Sequence, residues 1–555
     1  MSSELRGVPA APGVATGSPW IHRPLPADGV ARRSISAASE MAVGELERLA
    51  LRLRDEGRLD EAEILEAQAM MAADDELLGR ARERQADGED PVAGVVAAGE
   101  EVATVFAAME DELLAARAAD VRDVAGRIAR HVAGVDAPRL ERRSIVVGTD
   151  LAPSVTVELD RALLAGIALE GGSRTSHAAI LARALGIPAV VGVTGLVERA
   201  AASHELGVDG ATGTVVLDPD AAALDRLAHA AADAEATRAA DEAFHRMPLA
   251  TSDAHRVHCF ANVGDPADTA AAFAAGAEGI GLFRTEFAFS GRPAPPTEEE
   301  QATAYEHVLR SAGDAPVVFR LADIGGDKPL PYLPFPPEPN PFLGVRAIRL
   351  AERHPDLFPT QLRAILRASA RAGRIVSIMA PMVADAADLA AVRRMVDDAH
   401  AAVPDAPMSR VGIMVEIPSA VLLADELAAG VDFMSIGTND LTQYLLAVDR
   451  GNPELAMRQD PAHPAVLRAV ARVVDAAATR SGTCDVAVCG EMAGDPAGAM
   501  LLVGLGVDEL SMEPRAFGAV KRAVAGHTRA ELAALARRAL GASSADEARA
   551  LVAGA

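Results

Sequence analysis

Aromatic residues make up only 3% of this 555-residue chain, and there are three cysteines, Cys259, Cys484 and Cys489. With so few aromatics, the cores must be built from Ala, Leu, Val and Ile. Three cysteines, two of them close together, are too few for a disulfide framework, and a reducing cytoplasm is the simple reading. No window approaches 18 uninterrupted apolar residues, which excludes a transmembrane helix. The opening residues, MSSELRGVPAAPG, hold no basic stretch followed by an apolar run and do not read as a secretory signal. Positive charge is also in deficit: 53 Lys and Arg stand against 79 Asp and Glu, a formal net charge of −26. Such a surface repels nucleic acid and anionic membranes and favours a basic protein partner. A phosphorylated substrate must therefore meet a local cluster of arginines that reverses the field.

At roughly 100–200 residues per domain the length allows about three domains. Residues 1–25 are rich in Gly and Pro and read as a short strand with turns. Residues 26–134 show helical periodicity, with one apolar stripe at Leu46, Leu49, Ala50 and Leu53 and another at Ile64, Leu65, Ala69 and Met70. Between Asp28 and Gly134 there are 24 acidic and 13 basic residues, so the spacing predicts a helical bundle with an acidic exterior. Residues 135–219 alternate β-rich runs (SIVVGTD, GIALEGG, AVVGV, TVVLDP) with helices, the pattern of an α/β domain. Residues 220–247 are polar and Ala-rich and read as a linker helix. Residues 248–555 contain eight strand-like runs with helices between them: HCFANV, GIGLFRTE, PVVFRLAD, RIVSIMAPM, VGIMVEI, FMSIGTND, VAVCGEM and DELSMEP. That is the pattern of a (β/α)₈ TIM barrel.

In such a barrel the chemistry gathers at the C-terminal ends of the strands. The residues expected there are Asn262, Arg284, Glu286, Arg320, Asp323, Glu416, Asn439, Asp440, Cys489 and Glu491. Arg346 follows a Pro-rich stretch and Arg450 sits in the loop AVDRGN. Guanidinium forks match phosphate and carboxylate oxygens, so these arginines suit a small, multiply charged anion; each could instead pair with a nearby acid. Glu416 and Asp440, with no His nearby, suit a hard cation such as Mg²⁺, or cap the helices that follow. Cys489 shares their face but also fits a small core position, the reading given to Cys259 and Cys484. In the α/β domain, GGSRTSHAAILARALGIPAVVG places His177 after a Gly-rich loop at a helix start, where backbone N–H groups favour an anion. The competing reading is that Ser173, Thr175 or Ser176 caps that helix and His177 is incidental.

The motifs GIGLFRTEFAF, PTEEEQ, DIGGDKPLPY, NPFLGVRAIR, QLRAILRAS, EIPSA, FMSIGTNDLTQYLLAVDRGN and CGEMAGD, with RAADVRD, DLAPS and TSHAAILARALGIPAVVG before them, carry a resemblance along essentially the whole chain. The chain resembles Enzyme I of the bacterial sugar phosphotransferase system, the phosphoenolpyruvate–protein phosphotransferases. The resemblance implies a multidomain α/β architecture: a phosphohistidine domain (1–25 and 135–219), split by an all-α bundle (26–134) that binds the carrier protein HPr. A linker helix (220–247) and a phosphoenolpyruvate-binding, dimerising TIM barrel (248–555) follow. It implies that His177 is the phosphorylated nucleophile and Cys489 the proton donor. Arg284, Arg320 and Arg450, with Arg346 in support and Asn439 and Asp440, are implied substrate contacts. Glu416 and Asp440 are implied ligands of Mg²⁺, with Mn²⁺ the alternative. The expected partners are phosphoenolpyruvate and pyruvate, HPr and a second copy of the chain, with no nucleic acid and no membrane insertion.

Two positions depart from the family pattern. Ser173 separates the glycine pair from the Arg-Thr-Ser-His run, which bears on loop shape. Gln68 stands where a His is common, which bears on carrier preference. A pyruvate phosphate dikinase or phosphoenolpyruvate synthase needs a nucleotide-binding domain of several hundred residues. Only about 130 residues precede the α/β domain, and they hold no Gly-rich phosphate loop with a Lys. A non-catalytic phosphorelay protein is disfavoured by the intact Arg, Glu, Asp and Cys positions. The absence of an appended sensor domain favours the sugar branch. A barrel that only binds a metabolite leaves His177 unexplained.

Overall fold

The computed structural model describes residues 3–554 apart from 23–30, 56–58, 108–111, 136, 138, 152–154, 156–158, 173–175, 291, 327, 329, 331, 334–337, 451, 453–454, 456–457 and 480–483. The chain divides into two units, Met1–Thr237 and Arg238–Ala555.

In the first unit, eight strands form one sheet: β1 (Ser3–Arg6), β2 (Val8–Ala11), β3 (Val14–Ile21), β4 (Ser144–Gly148), β5 (Leu164–Leu169), β6 (Ala189–Val191), β7 (Leu206–Asp209) and β8 (Thr214–Leu217), in the order β1-β8-β7-β3-β4-β5-β6-β2. The neighbours β3, β4, β5 and β6 pair in parallel. Every residue of β4 and β5 is buried, as parallel strands covered on both faces require. Side chains alternate between the faces: Val146 and Ile167 pack against Ala178, Ala179 and Ala182, while Ile145, Val147 and Ala168 pack with Leu196 and Ala200.

Among the described residues five helices lie between β3 and β4 in sequence: α1 (Ile35–Asp55), α2 (Leu59–Ala72), α3 (Asp75–Ala86), α4 (Pro91–Ala107) and α5 (Glu112–Ala133). The bundle therefore serves as the crossover between two strands that pair directly. Its core is small and aliphatic, with Ala38, Ala42, Leu46, Ala50, Leu65, Ala69, Ala98 and Ile128 all buried. The expected α2 stripe is narrower than the sequence implied. Leu65 and Ala69 are buried, but Ile64 and Met70 are exposed, because adjacent residues on a helix lie about 100° apart and only one side faces the core. The side chain of Leu53 lies outside the described residues. The opening segment, expected to hold a short strand, holds three.

The second unit is entered through a helix, Ala221–Phe244. Its strands are β9 (His258–Val263), β10 (Ile280–Arg284), β11 (Val317–Arg320), β12 (Ser377–Ala380), β13 (Arg410–Val415), β14 (Phe433–Ile436), β15 (Asp485–Val488) and β16 (Glu509–Met512), one overlapping each expected run, with β13 and β15 starting one residue before theirs. Among the described residues all eight pair in parallel and close into a barrel through β16 and β9, with Leu510 opposite Cys259 and Met512 opposite Ala261. This is the TIM barrel of the sequence reading. Cys259 and Cys484 are buried core residues. Among the described residues no helix is long and apolar enough to cross a membrane.

Candidate active site

A cavity of about 450 Å³ opens at the C-terminal ends of the barrel strands. Arg284 ends β10 and Arg320 ends β11. Glu416 follows β13, and Cys489 follows β15. Asn439 and Asp440 lie in the first turn of the helix Thr438–Leu446, and Arg450 lies in the loop beyond it. All seven line this one cavity. Asn262 and Glu491 stand just outside it. Asn262 Nδ2 donates to the Cys489 carbonyl at 3.0 Å, and the Glu491 N–H donates to Asn439 Oδ1 at 2.8 Å. Gly490 is required where it lies, since a Cβ there would come within 1.9 Å of Thr438 Oγ1.

Cations and carboxylates are held in a definite network. Glu286 Oε1 accepts from Arg320 Nη2 at 2.9 Å and from the Asp323 N–H at 2.6 Å. Arg346 grips Asp323 bidentately, Nε to Oδ1 at 3.0 Å and Nη2 to Oδ2 at 2.6 Å. Both side chains are 1% exposed. Arg346 is not among the lining residues; it sits behind the wall and fixes Asp323. Burial pushes the Asp323 carboxyl up, but Arg320, Lys328 and Arg346 together hold it well below the usual range. Arg284 is exposed and has no carboxylate partner among the described residues. Arg450 Nη1 pairs with Asp440 Oδ1 at 3.2 Å and its guanidinium lies 5.0 Å over the Phe342 ring.

Glu416 is 1% exposed and Oε1 accepts from the Met382 N–H at 2.7 Å. Burial, reinforced by the charges of Asp440 and Asp323, pushes its carboxyl up to about 8. Asp440 is balanced by Arg450 and by Arg346 at 3.6 Å, whereas Glu416 has no ion-pair partner among the described residues. Arg320 Nε and Thr438 Oγ1 are buried without a hydrogen-bond partner. The cavity thus presents both signs of charge with polar atoms left for a ligand. Among the described residues no cluster of three or more His, Cys, Asp or Glu forms a closed metal cage. Two carboxylates in an open cavity match a hard cation that keeps water and ligand oxygens, the habit of Mg²⁺. Backbone strain gathers here too. Ala347, Met382 and Ala447 all have positive φ, 52°, 57° and 53°, next to Arg346, Glu416 and the Arg450 loop respectively.

Cys489 is 3% exposed, and its Sγ lies 3.8 Å from the Ile436 carbonyl. Burial pushes its thiol up to about 11, so it stays protonated at neutral pH. Sequence reasoning gave Lys328 no role. It lines the cavity, and its Nζ donates to Asp323 Oδ2 at 3.1 Å. One signal was available: Lys328 and Lys521 are the only lysines in a chain that otherwise uses arginine throughout.

His177 opens the helix His177–Leu185, with Ser176 at the N-cap position in extended backbone (φ −64°, ψ 151°) and Gly186 closing it at φ 67°. Gly172 has φ 90°, and a Cβ there would meet Ser176 Oγ at 3.1 Å. Ser173 and Thr175, and the side chain of His177, lie outside the described residues.

Three family models match the chain in order: PEP-utilising enzyme, N-terminal, over residues 6–117; the mobile domain over 140–213; and the PEP-binding domain over 238–529, which spans all eight barrel strands. A phosphoenolpyruvate-protein phosphotransferase from Streptomyces coelicolor is 41% identical over 99% of this chain and 98% of its own length. The chain belongs to the phosphoenolpyruvate-protein phosphotransferase family. Multiphosphoryl transfer proteins are also similar to it. One from Xanthomonas campestris is 42% identical over 88% of this chain, and one from Rhodobacter capsulatus is 45% identical over 81%. The chain spans only 59% and 54% of those two longer proteins. Within this phosphotransferase family fold, the residues singled out for chemistry converge on one cavity, except Arg346 behind its wall and Asn262 and Glu491 just outside it.

Proposed function

We propose that this chain acts as an Enzyme I: it takes the phosphoryl group of phosphoenolpyruvate onto His177, releases pyruvate, and passes the phosphoryl group to HPr. The reading is carried by the convergence of Arg284, Arg320 and Arg450, a buried carboxylate pair and a protonated thiol on one cavity. An anion with phosphate and carboxylate ends needs such cations in an otherwise acidic protein.

Arg284, Arg320 and Arg450 bind the phosphate and carboxylate oxygens bidentately and spread the charge of a loose phosphoryl-transfer transition state. Asn439 and Asp440 orient the substrate beside them. Arg346 supports from behind, by fixing Asp323. Glu416 and Asp440 would hold Mg²⁺ or Mn²⁺, which supplies neutralisation of phosphate charge. Neutral imidazole of His177 attacks phosphorus in line, so the reaction requires the phosphohistidine domain to visit the barrel mouth and then the carrier. The P–O bond to the enol oxygen breaks as the P–N bond forms. The enolate left behind takes the Cys489 proton at carbon and becomes pyruvate. The acidic helical bundle steers the carrier's basic face. A cytoplasmic homodimer is the working form.

The test is transfer of label from radiolabelled phosphoenolpyruvate with Mg²⁺. Wild type should acquire acid-labile label that chases onto HPr, and His177→Ala should acquire none. Label only in the presence of ATP would overturn the reading in favour of a dikinase. Label persisting in His177→Ala would overturn the choice of nucleophile.

A further inference from the structure

A second cavity, of about 380 Å³, opens at the opposite, N-terminal mouth of the barrel and shares no lining residue with the upper one. The floor between them is a single apolar layer of Leu282, Val318, Met379, Met414, Phe433 and Cys489. Leu282, Met414 and Cys489 face the upper cavity, while Val318 and Phe433 face the lower. Ser435 is a polar break beside that floor. It lines the lower cavity, is 1% exposed, and its Oγ has no hydrogen-bond partner. The Ser435 hydroxyl pulls the Cys489 thiol down, against the burial that raises it.

The strand register explains this placement. Ser435 on β14 stands opposite Ala487 on β15, and Ala487 stands opposite Glu509 on β16. Ala487 and Cys489 are two residues apart on one strand and point to the same side, so the thiol sits one step above the row Ser435–Ala487–Glu509. Ala487 contributes only a methyl group to the wall, and the Glu509 carboxyl lies towards Gly281 on β10, so the cavity itself separates hydroxyl from carboxyl. Glu509 reaches into the barrel interior: a Cβ on Gly281 would come within 2.3 Å of its Oε1. Among the described residues Glu509 has no ion-pair partner. Burial first, then the charges of Asp485 and Asp508, pushes its carboxyl up to about 8 against the opposing pull of Arg410, so it carries a proton at neutral pH. Arg410 is itself paired with Asp485 at 2.6 Å, and His258 stands opposite Glu509 on β9. His255, Arg256 and Arg529 complete the charged rim.

We infer that Ser435 and Glu509 return a proton to Cys489 from the lower mouth of the barrel, through water held in the second cavity. The inference rests on the proposed function, in which each turnover spends the Cys489 proton. When the enolate carbon takes that proton, the S–H bond breaks, a C–H bond forms and a thiolate remains beneath an upper cavity filled by product. The thiolate takes the Ser435 hydroxyl proton, and Ser435 is reprotonated from the Glu509 carboxyl across the water. Glu509 recovers its proton from solvent at the open lower mouth. Protons alone move, and the chain of donors resets after each cycle. The cavity is polar and roomy enough to hold such water. Ser435 and Glu509 act through Cys489 and are positioning residues.

The test uses the full-length protein with phosphoenolpyruvate, Mg²⁺ and excess HPr, and counts pyruvate by rapid quench for wild type, Ser435→Ala, Glu509→Gln and the double variant. Ser435→Ala removes a single buried oxygen atom and should fold as wild type does. Because the thiol starts protonated, each variant should complete its first turnover at the wild-type rate and then slow about tenfold. The double variant should be no slower than the slower single one, since both cut the same path. Formate should restore the later turnovers of Glu509→Gln by entering the lower cavity. Later turnovers at the wild-type rate, a first turnover slowed as much as the rest, or no rescue by formate would each overturn the relay. Wild type that forms no pyruvate at all would instead overturn the proposed function.

Discussion

Arg346 offers a perturbation whose size follows from the geometry. Its guanidinium and the Asp323 carboxylate form a bidentate pair, each side chain 1% exposed, so solvent screens the interaction very little. Breaking a buried pair by removing one partner costs about 3–5 kcal/mol, because an uncompensated charge stays behind. In Arg346→Met, Asp323 keeps Lys328 at 3.1 Å and Arg320 at 3.6 Å, which places the cost near the low end, about 3 kcal/mol. Asp323→Ala strands the arginine instead and should cost more, about 5 kcal/mol. The aromatic inventory supplies the assay. All three tyrosines, Tyr305, Tyr332 and Tyr444, lie in the barrel unit, whereas the single tryptophan, Trp20, lies in the other. Urea unfolding followed by tyrosine near-ultraviolet signals therefore reports the barrel. With a denaturant slope of about 3 kcal/mol/M, the Arg346→Met midpoint should fall by about 1 M. A fall of less than about 0.3 M would mean that Lys328 and Arg320 replace the arginine at no cost, and would refute the reasoning.

Five further outcomes are expected. Cys489→Ala should slow pyruvate formation by roughly 10²–10⁴-fold, as loss of a general acid does, in an assay coupled to lactate dehydrogenase. Chelation of divalent cations should abolish labelling from phosphoenolpyruvate, and Glu416→Gln should weaken Mg²⁺ binding measured by calorimetry at least tenfold. In the helical bundle, burial pushes Glu45 up, but hydrogen bonds from His131 and Arg130 and the charges of Arg127 and Arg130 hold it down at about 2. Its folded value lies below its unfolded one, so its contribution, on the order of 3 kcal/mol, is complete above about pH 4.5 and is lost as pH falls towards 2. Urea midpoints from Trp20 fluorescence should fall over that window in wild type and stay flatter in Glu45→Gln. Association with HPr should slow as ionic strength rises; a rate indifferent to salt would exclude steering by the acidic bundle.

The barrel was legible because its strands are parallel and covered on both faces, so each reads as a short apolar run with a polar residue at its end. Arg284, Arg320, Glu416 and Cys489 could be placed on one face by that rule alone. The opening strands were obscured by Pro9 and Pro19. Pro9 is tolerated because β2 is an edge strand. Pro19 is tolerated because the end of β3 that holds it pairs only with β4. Arg346 was grouped with the cavity arginines because the path of the loop from Asp323 to Arg346 decides which side of the wall it takes, and no periodicity encodes that path. Lys328 belongs to the same loop and escaped for the same reason. Ser435 and Glu509 were invisible as a pair, since only the strand register brings residues 435 and 509 level across Ala487.

The seam that closes the barrel also governs its biogenesis. His258 must find Glu509, 251 positions further along the chain, before the ring is complete. At about 5–20 residues per second of synthesis, β9 waits roughly 12–50 s on the ribosome for the strand that covers its open edge. The insertion of the helical bundle between β3 and β4 imposes no such delay on the bundle itself, whose five helices are contiguous and can condense as soon as they emerge. Nascent chains halted before β16 should therefore carry a folded bundle and a sticky, unclosed sheet, and chaperone demand should peak during translation of the barrel.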